Sequence, residues 1–365
     1  MQTLLTLTAR LTDVNPQLFT DALSTITDWS MLSKQAESQS LAPLLYHHIQ
    51  RHNIEIPRPA KRELSALYLR HKHAHQVHTE TLREILSAYH EANIETIVLK
   101  GAALAFLVYP TPNLRPKRDI DLLVKPDDTV PAQKILGDLG FKAPLPTGAE
   151  LPDKHLDAAT RQHKGMVSSI EIHHNLFNVY HPVSMAFADL TSAPLPFAVD
   201  EETTAYTLGY EDMLWHLCQH VAYHANVWEP IRLIWVADII GFAERFAAQI
   251  EWDKVDDKYP LVLKTLSLFH FITPLSDNLR RLAPLKIGHR PQGIGEEFQG
   301  WPRTSLRHQR AKGYQQILTD TFFPSEWWLR LHYGLDSAES VAWYRWMRHP
   351  IHILARIQQF IQDNR

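Results

Sequence analysis

The sequence predicts an α+β protein, a mixed-sheet core flanked by helical regions at both ends. Three observations predict it. Residues 1–93 repeat apolar side chains at three- and four-residue spacing; short apolar, partly β-branched runs bounded by turn residues crowd into 94–200; helical spacing returns over 201–365. These three stretches read as an N-terminal helical region, an α/β core and a C-terminal helical region. At 365 residues the chain is long enough for two or more domains and a sizeable core.

The elements follow in order. LAPLLYHHIQ and the run from Pro57 to His90 are helical, the latter through Leu64, Leu67, Tyr68, Leu82, Ile85, Leu86 and Tyr89. His71, His73, His75 and His78 sit there beside Arg70 and Lys72, which predicts a solvated helix face. IETIVLKG (94–101) is a strand ending in Gly101, and GAALAFLVY is a helix stopped before Pro110. DIDLLV (119–124) has a buried-strand pattern. PDDTVPAQKILGDLGF reads as turn, helix and the start of a strand, punctuated by Gly137 and Gly140. MVSSIEIHHNL (166–176) is another strand, preceded by a polar loop carrying His155 and His163. From Glu201 onward the pattern is helical, with Pro-rich loops near 283–303 and a last helix after Pro350. The tryptophans of SEWWLRLHYG and VAWYRWMRHP read as packing in a C-terminal helical layer rather than as a membrane-surface platform.

Composition narrows the function. Lys and Arg total 37 against 40 Asp and Glu, a net charge of −3, which disfavours a strongly basic nucleic-acid binder and an acidic tail protein. The single cysteine, Cys218, excludes an internal disulfide framework and a Cys-rich zinc site. It falls on the apolar side of its helix, so an inert buried thiol is expected. MQTLLTLTARLTDVNPQ lacks the parts of a signal peptide, and no window approaches the roughly 18 uninterrupted apolar residues of a spanning helix. A cytoplasmic protein without a spanning segment is expected.

The 22 histidines invite a metal reading. His216, His220 and His224 recur every four residues, off the stripe of Leu214, Leu217, Cys218, Val221 and Ala225. That placement predicts a stripe facing solvent or a cleft. His216 and His224 lie about 12 Å apart along a helix axis, at about 1.5 Å per residue. That is too far for one ion held at about 2 Å.

Carboxylates fit a metal better. Asp119 and Asp121 are two apart in a strand, so both point to one face. Their repulsion is relieved by a cation, and Mg²⁺ is suited to one or two carboxylates plus phosphate oxygens. Glu171, in the second strand, is the candidate third carboxylate, with His173 on its face. Upstream, Lys100 and Gly101 mark a strand-to-helix junction, where backbone N–H groups and an ammonium suit phosphate. Arg115 and Arg118 precede the Asp pair as candidate phosphate clamps. Together these residues point to metal-assisted nucleotidyl transfer.

The run Lys100-Gly101, a helix, then Arg115-x3-Asp119-Ile-Asp121-Leu-Leu-Val resembles the uncharacterised nucleotidyltransferase family of the DNA-polymerase-β-like superfamily. IEIHHNL, the stretch His220-x3-His224…Arg232…Asp238, and PSEWWLRLHYG are similar to that family as well, over roughly residues 30–350. The resemblance implies a nucleotidyltransferase-type sheet core and an enzyme moving an NMP group from an NTP to a hydroxyl acceptor. It implies Mg²⁺ or Mn²⁺ held by the catalytic carboxylates Asp119, Asp121 and Glu171. Lys100, Gly101, Ala102, Arg115 and Arg118 are then the nucleotide- and phosphate-binding residues, and His173, His220 and His224 the candidate acceptor-side residues. The superfamily's usual Gly-Ser turn is Gly101-Ala102 here. Two alternatives therefore stay open: a catalytically weak or inactive nucleotide-binding module of the same fold, and a His-rich metallohydrolase. Nothing in the sequence selects the acceptor (protein, small molecule or nucleic-acid end), the base of the NTP or the oligomeric state.

Overall fold

A computed structural model describes residues 1–11, 14–146, 151, 153–178, 183–303 and 313–363. It is a mixed α+β structure whose chain divides into two compact units. The first is 1–216 with 241–250, the second 217–240 with 251–365.

The first unit opens with four short helices, α1 (Gln2–Thr8), α2 (Pro16–Ser24), α3 (Trp29–Ser38) and α4 (Ala42–Arg51). The long helix α5 (Arg58–Glu91) follows, with proline near its start, where a missing N–H costs nothing. Its buried face is Ala74, Val77, His78, Thr81, Leu82, Ile85 and Tyr89, the three- and four-residue spacing of one helix stripe. The helix ends when Asn93 adopts a left-handed φ of 57°, and the Ile94 N–H returns to the Tyr89 carbonyl at 2.8 Å. Two histidines depart from the expected solvated face. His78 is buried and His75 is partly so, because the stripe carrying them turns inward.

Then come β1 (Ile97–Val98), α6 (Lys100–Leu107), β2 (Asp119–Leu123), α7 (Thr129–Asp138), β3 (Ala159–His163) and β4 (Met166–His173). They form one sheet in the order β1-β2-β4-β3, with β2 and β4 parallel and both outer pairings antiparallel. β3 occupies part of the stretch expected to be a polar loop. Its alternation is weak because it is only half covered. α7 closes on Gly140 at φ 84°, a conformation glycine adopts without steric cost. Ile120, Leu122, Ile170 and Ile172 bury one sheet face with Leu82, Ile85, Tyr89, Ala132 and Leu136 from α5 and α7. The Tyr89 hydroxyl donates to the Ala132 carbonyl at 3.1 Å and ties those helices together.

A hairpin of β5 (Leu195–Ala198) and β6 (Thr204–Thr207) comes next. β6 lies beyond Glu201, where only helix was expected; four residues are too few for a period to show. The Thr207 hydroxyl donates to the Val98 carbonyl at 2.5 Å and anchors the hairpin beside β1. Helices α8 (Tyr210–Asn226) and α9 (Leu233–Arg245) contain the boundaries between the two units.

The second unit continues with α10 (Trp252–Lys258), α11 (Pro260–Phe269), α12 (Asp277–Leu282), α13 (Tyr314–Phe322), α14 (Glu326–Tyr333) and α15 (His349–Asp363). Trp228, Phe298, Trp328 and Leu329 form a core cluster there. Arg330 is fully buried, and its guanidinium grips Glu326 at 2.7 and 2.9 Å and the Glu339 carbonyl at 2.9 Å. Trp327 and Trp328 pack inside as expected, but Trp343 and Trp346 are 58% and 63% exposed. Cys218 is buried and unpaired, and burial pushes its thiol up to about 12. Among the described residues no helix is long and apolar enough to cross a membrane.

Candidate active site

The parallel pairing of β2 with β4 builds the site. Its register sets Asp119 opposite Ser169 and Asp121 opposite Glu171. Ile120, Leu122, Ile170 and Ile172 point into the core, so Asp119, Asp121, Glu171 and His173 share the opposite face.

Asp121 is the centre, only 5% exposed. His173 Nε2 donates to its Oδ1 at 2.9 Å, and Lys100 Nζ lies 3.3 Å from its Oδ2. Burial opposes ionisation of Asp121, but Lys100 and His173 outweigh it and hold the carboxyl well below its ordinary range. Burial likewise disfavours the Lys100 ammonium, yet Asp121, Asp119 and Glu171 prevail and raise its pKa. The Glu171 Oε2 is 3.5 Å from His173 Nε2 and 3.7 Å from His155 Nε2. The His173 hydrogen bond leads in lowering the Glu171 pKa. Asp119, at the open start of β2, behaves oppositely: burial of its carboxyl and repulsion from Asp121 raise its pKa. Asp121, Glu171 and His173 each offer a ligand atom within 4.8 Å of the others.

Lys100 stands at the junction of β1 and α6 with φ 47°, the left-handed region, which costs a lysine about 1–2 kcal/mol. Behind it, Gly101 has a specific reason to lack a side chain. A Cβ there would lie 2.9 Å from the Arg115 guanidinium carbon. Arg115 thus lies against the first turn of α6, and it also donates to the Pro116 carbonyl. No side chain caps that turn, so its early N–H groups face outward from the helix end. Ala102 is buried within α6.

The structure therefore gathers Lys100, Gly101, Arg115, Asp119, Asp121, Glu171 and His173 in one place. Arg118 is exposed and makes no ion pair among the described residues. His220 and His224 belong to the second unit, where their rings lie 4.4 Å apart and 4.9 and 4.5 Å from Trp235.

Three more residues stand at the site: Lys154, which was not read from the sequence, His155, whose loop was a candidate cover for the site, and His216, whose stripe was expected to face solvent or a cleft. Lys154 lies in the field of Lys100, Glu171 and Asp121, and burial followed by Lys100 lowers its pKa. His155 bridges to His173 across the strand edge, their rings 4.9 Å apart. His216 is 1% exposed, its Nδ1 has no hydrogen-bond partner, and burial followed by Lys100 and His173 lowers its pKa well below the ordinary value. The helical wheel put His216 off the core stripe, but residues 211–218 of α8 are buried all round. A stripe cannot be read from a helix without a wet face.

Comparison with known proteins adds the family. No curated protein matches the chain. A solved structure, the solution structure of the antibiotic-resistance factor ANT(2'')-Ia, is similar at 15% identity and a TM-score of 0.32, over 48% of this chain and 86% of that one. That likeness is too slight to carry weight. The family described as "Uncharacterised nucleotidyltransferase" matches residues 25–264, which include the four-stranded sheet and every residue gathered around Asp121. By that match over more than half its length, the chain belongs to the uncharacterised nucleotidyltransferase family.

Proposed function

We propose that the protein transfers an NMP group from an NTP to a hydroxyl acceptor, with Mg²⁺ or Mn²⁺ held by Asp119, Asp121 and Glu171. The observation that carries this is the β2–β4 register, which sets Asp121 beside Glu171 on the face Asp119 shares. Hard carboxylate oxygens on one face of a sheet are the donor set such ions take. When bound, the ion supplies charge to the phosphate oxygens and lowers the pKa of the attacking hydroxyl.

The chain's own groups divide the remaining work. Lys100, now paired with Asp121, gives up that carboxylate to the metal and turns to the phosphates. Arg115 and the first N–H groups of α6, at Gly101 and Ala102, hold further phosphate oxygens. His173 fixes the Asp121 carboxylate in orientation. The acceptor oxygen bonds to the α-phosphorus, the bond from that phosphorus to pyrophosphate breaks, and the hydroxyl proton passes to a carboxylate of the cluster. Arg118, His220 and His224 remain proposed contributors on the phosphate and acceptor sides.

A second reading, a nucleotide-binding module without transfer, is favoured by Ala102, which brings no hydroxyl to the phosphate turn. The two separate in one experiment. At about 100 times Kd, Mg-NTP stabilises by about 2.7 kcal/mol, a shift of several degrees in Tm. An α-phosphate label then enters an acceptor pool in the wild type, and Asp121→Asn lowers incorporation by at least about a hundredfold. Binding without incorporation supports the module. No Tm shift with any NTP sinks both readings.

A further inference from the structure

Away from the carboxylates, the second unit gathers three histidines that no step above uses. His332 lies on α14, and His349 and His352 lie one turn apart on α15. Each offers one ring nitrogen within 4.8 Å of the other two. His349 is fully buried, His332 is 8% exposed and His352 is partly exposed.

Their hydrogen bonds set the tautomers. A carbonyl oxygen only accepts, so the ring nitrogen facing it must donate. His332 Nδ1 faces the Ala225 carbonyl at 3.3 Å, which leaves the lone pair on Nε2. His349 Nε2 faces the Thr321 carbonyl at 2.8 Å, which leaves the lone pair on Nδ1, where the Tyr333 hydroxyl lies 3.1 Å away. His352 Nε2 accepts from Arg356 Nε at 3.3 Å, so its lone pair is on Nε2. His332 and His349 are each locked by a backbone carbonyl on one nitrogen, the usual surroundings of a metal-binding imidazole; to ligate, His349 Nδ1 exchanges the Tyr333 hydroxyl, and His352 Nε2 the Arg356 guanidinium, for the ion.

We propose that His332, His349 and His352 form a zinc-class transition-metal site in the second unit. The donor set is all imidazole nitrogen, which suits Zn²⁺ or Co²⁺ and not Mg²⁺. Ligands at about 2.0–2.1 Å from a tetrahedral ion require the three nitrogens to draw modestly closer than they stand. Three neutral ligands leave the ion's double charge intact. The fourth position is open to water or a small anion, and Arg356 is the cation beside it. The ion fastens α15 to α14.

The test uses full-length protein freed of any affinity tag, stripped with a chelator and titrated with Co²⁺ and then Zn²⁺. One equivalent of Co²⁺ is expected to give the intense visible absorption of tetrahedral coordination, displaced by Zn²⁺ with a rise in Tm. Asp121→Asn keeps this signal. His352→Ala, at a partly exposed position whose one hydrogen bond is to Arg356, loses it. Altered outer partners alone cost 10–100-fold in metal affinity, so loss of a ligand weakens Co²⁺ binding by more than about a hundredfold. Wild-type protein without a tetrahedral spectrum overturns the proposal whatever the variants do. So does a spectrum that survives His352→Ala or vanishes in Asp121→Asn.

Discussion

Gly101 and Arg115 are fourteen positions apart and act as one feature, because the guanidinium fills the space where a Cβ would stand. Gly101→Ala forces Arg115 off the first turn of α6. The expected result is about a tenfold rise in KM for NTP, some 1.4 kcal/mol, with little change in Tm. Arg115→Ala does the same, and the double variant is no worse than either single one. An unchanged KM in Gly101→Ala would show that Arg115 holds no phosphate. At this scale much of the site was legible. The two-residue spacing of Asp119 and Asp121, and of Glu171 and His173, already fixes which side chains share a face. What the sequence did not show was partnership: that Lys100 pairs with Asp121, or that Lys154 and His216 enter the same field, follows from strand register and helix burial.

Helix α5 shows where reading elements succeeds and where it fails. Its extent follows from apolar spacing, from Pro59 at the start and from Asn93 just past the end. His75 and His78 were misassigned, because a His-rich, Lys- and Arg-flanked run looks wet whichever way the stripe turns. His78 is 3% exposed, neither ring nitrogen has a hydrogen-bond partner among the described residues, and burial followed by Lys117 lowers its pKa to about 4. Below pH about 6.5 the unfolded chain takes up a proton that the folded ring refuses, so stability falls as pH drops from there toward 4. His78→Leu removes this contribution. Its Tm declines less than that of the wild type between pH 7 and pH 5, by a few degrees. Parallel declines in scanning calorimetry would mean that His78 is not buried as a neutral ring. Strands β3, β5 and β6 escaped notice for another reason. The first is half covered and the other two are four residues long, and no alternation lasts long enough to register.

For the whole molecule, family membership and the α+β architecture rest on residues 25–264, while the second unit carries chemistry that the carboxylate motif does not announce. The charge balance around Asp121 has a consequence for how the protein is handled and assembled. A buried carboxylate that waits for a metal to neutralise it leaves a chain unfolded until the metal comes, as in small zinc domains. Here the Lys100 ammonium already pairs with Asp121 from within, and His173 donates a hydrogen bond to it. Folding and loading are therefore separate events. In protein already stripped of zinc-class metal, excess EDTA is expected to abolish the proposed transfer while changing Tm in the absence of nucleotide by no more than about 2 °C, under about 1 kcal/mol at this size. Added Mg²⁺ should restore activity without a refolding lag. Cooperative unfolding on chelation would show that these internal partners do not suffice. On the proposed function, the divalent ion would be a passenger rather than part of the fold, and a cell short of magnesium would keep a full stock of folded, idle protein.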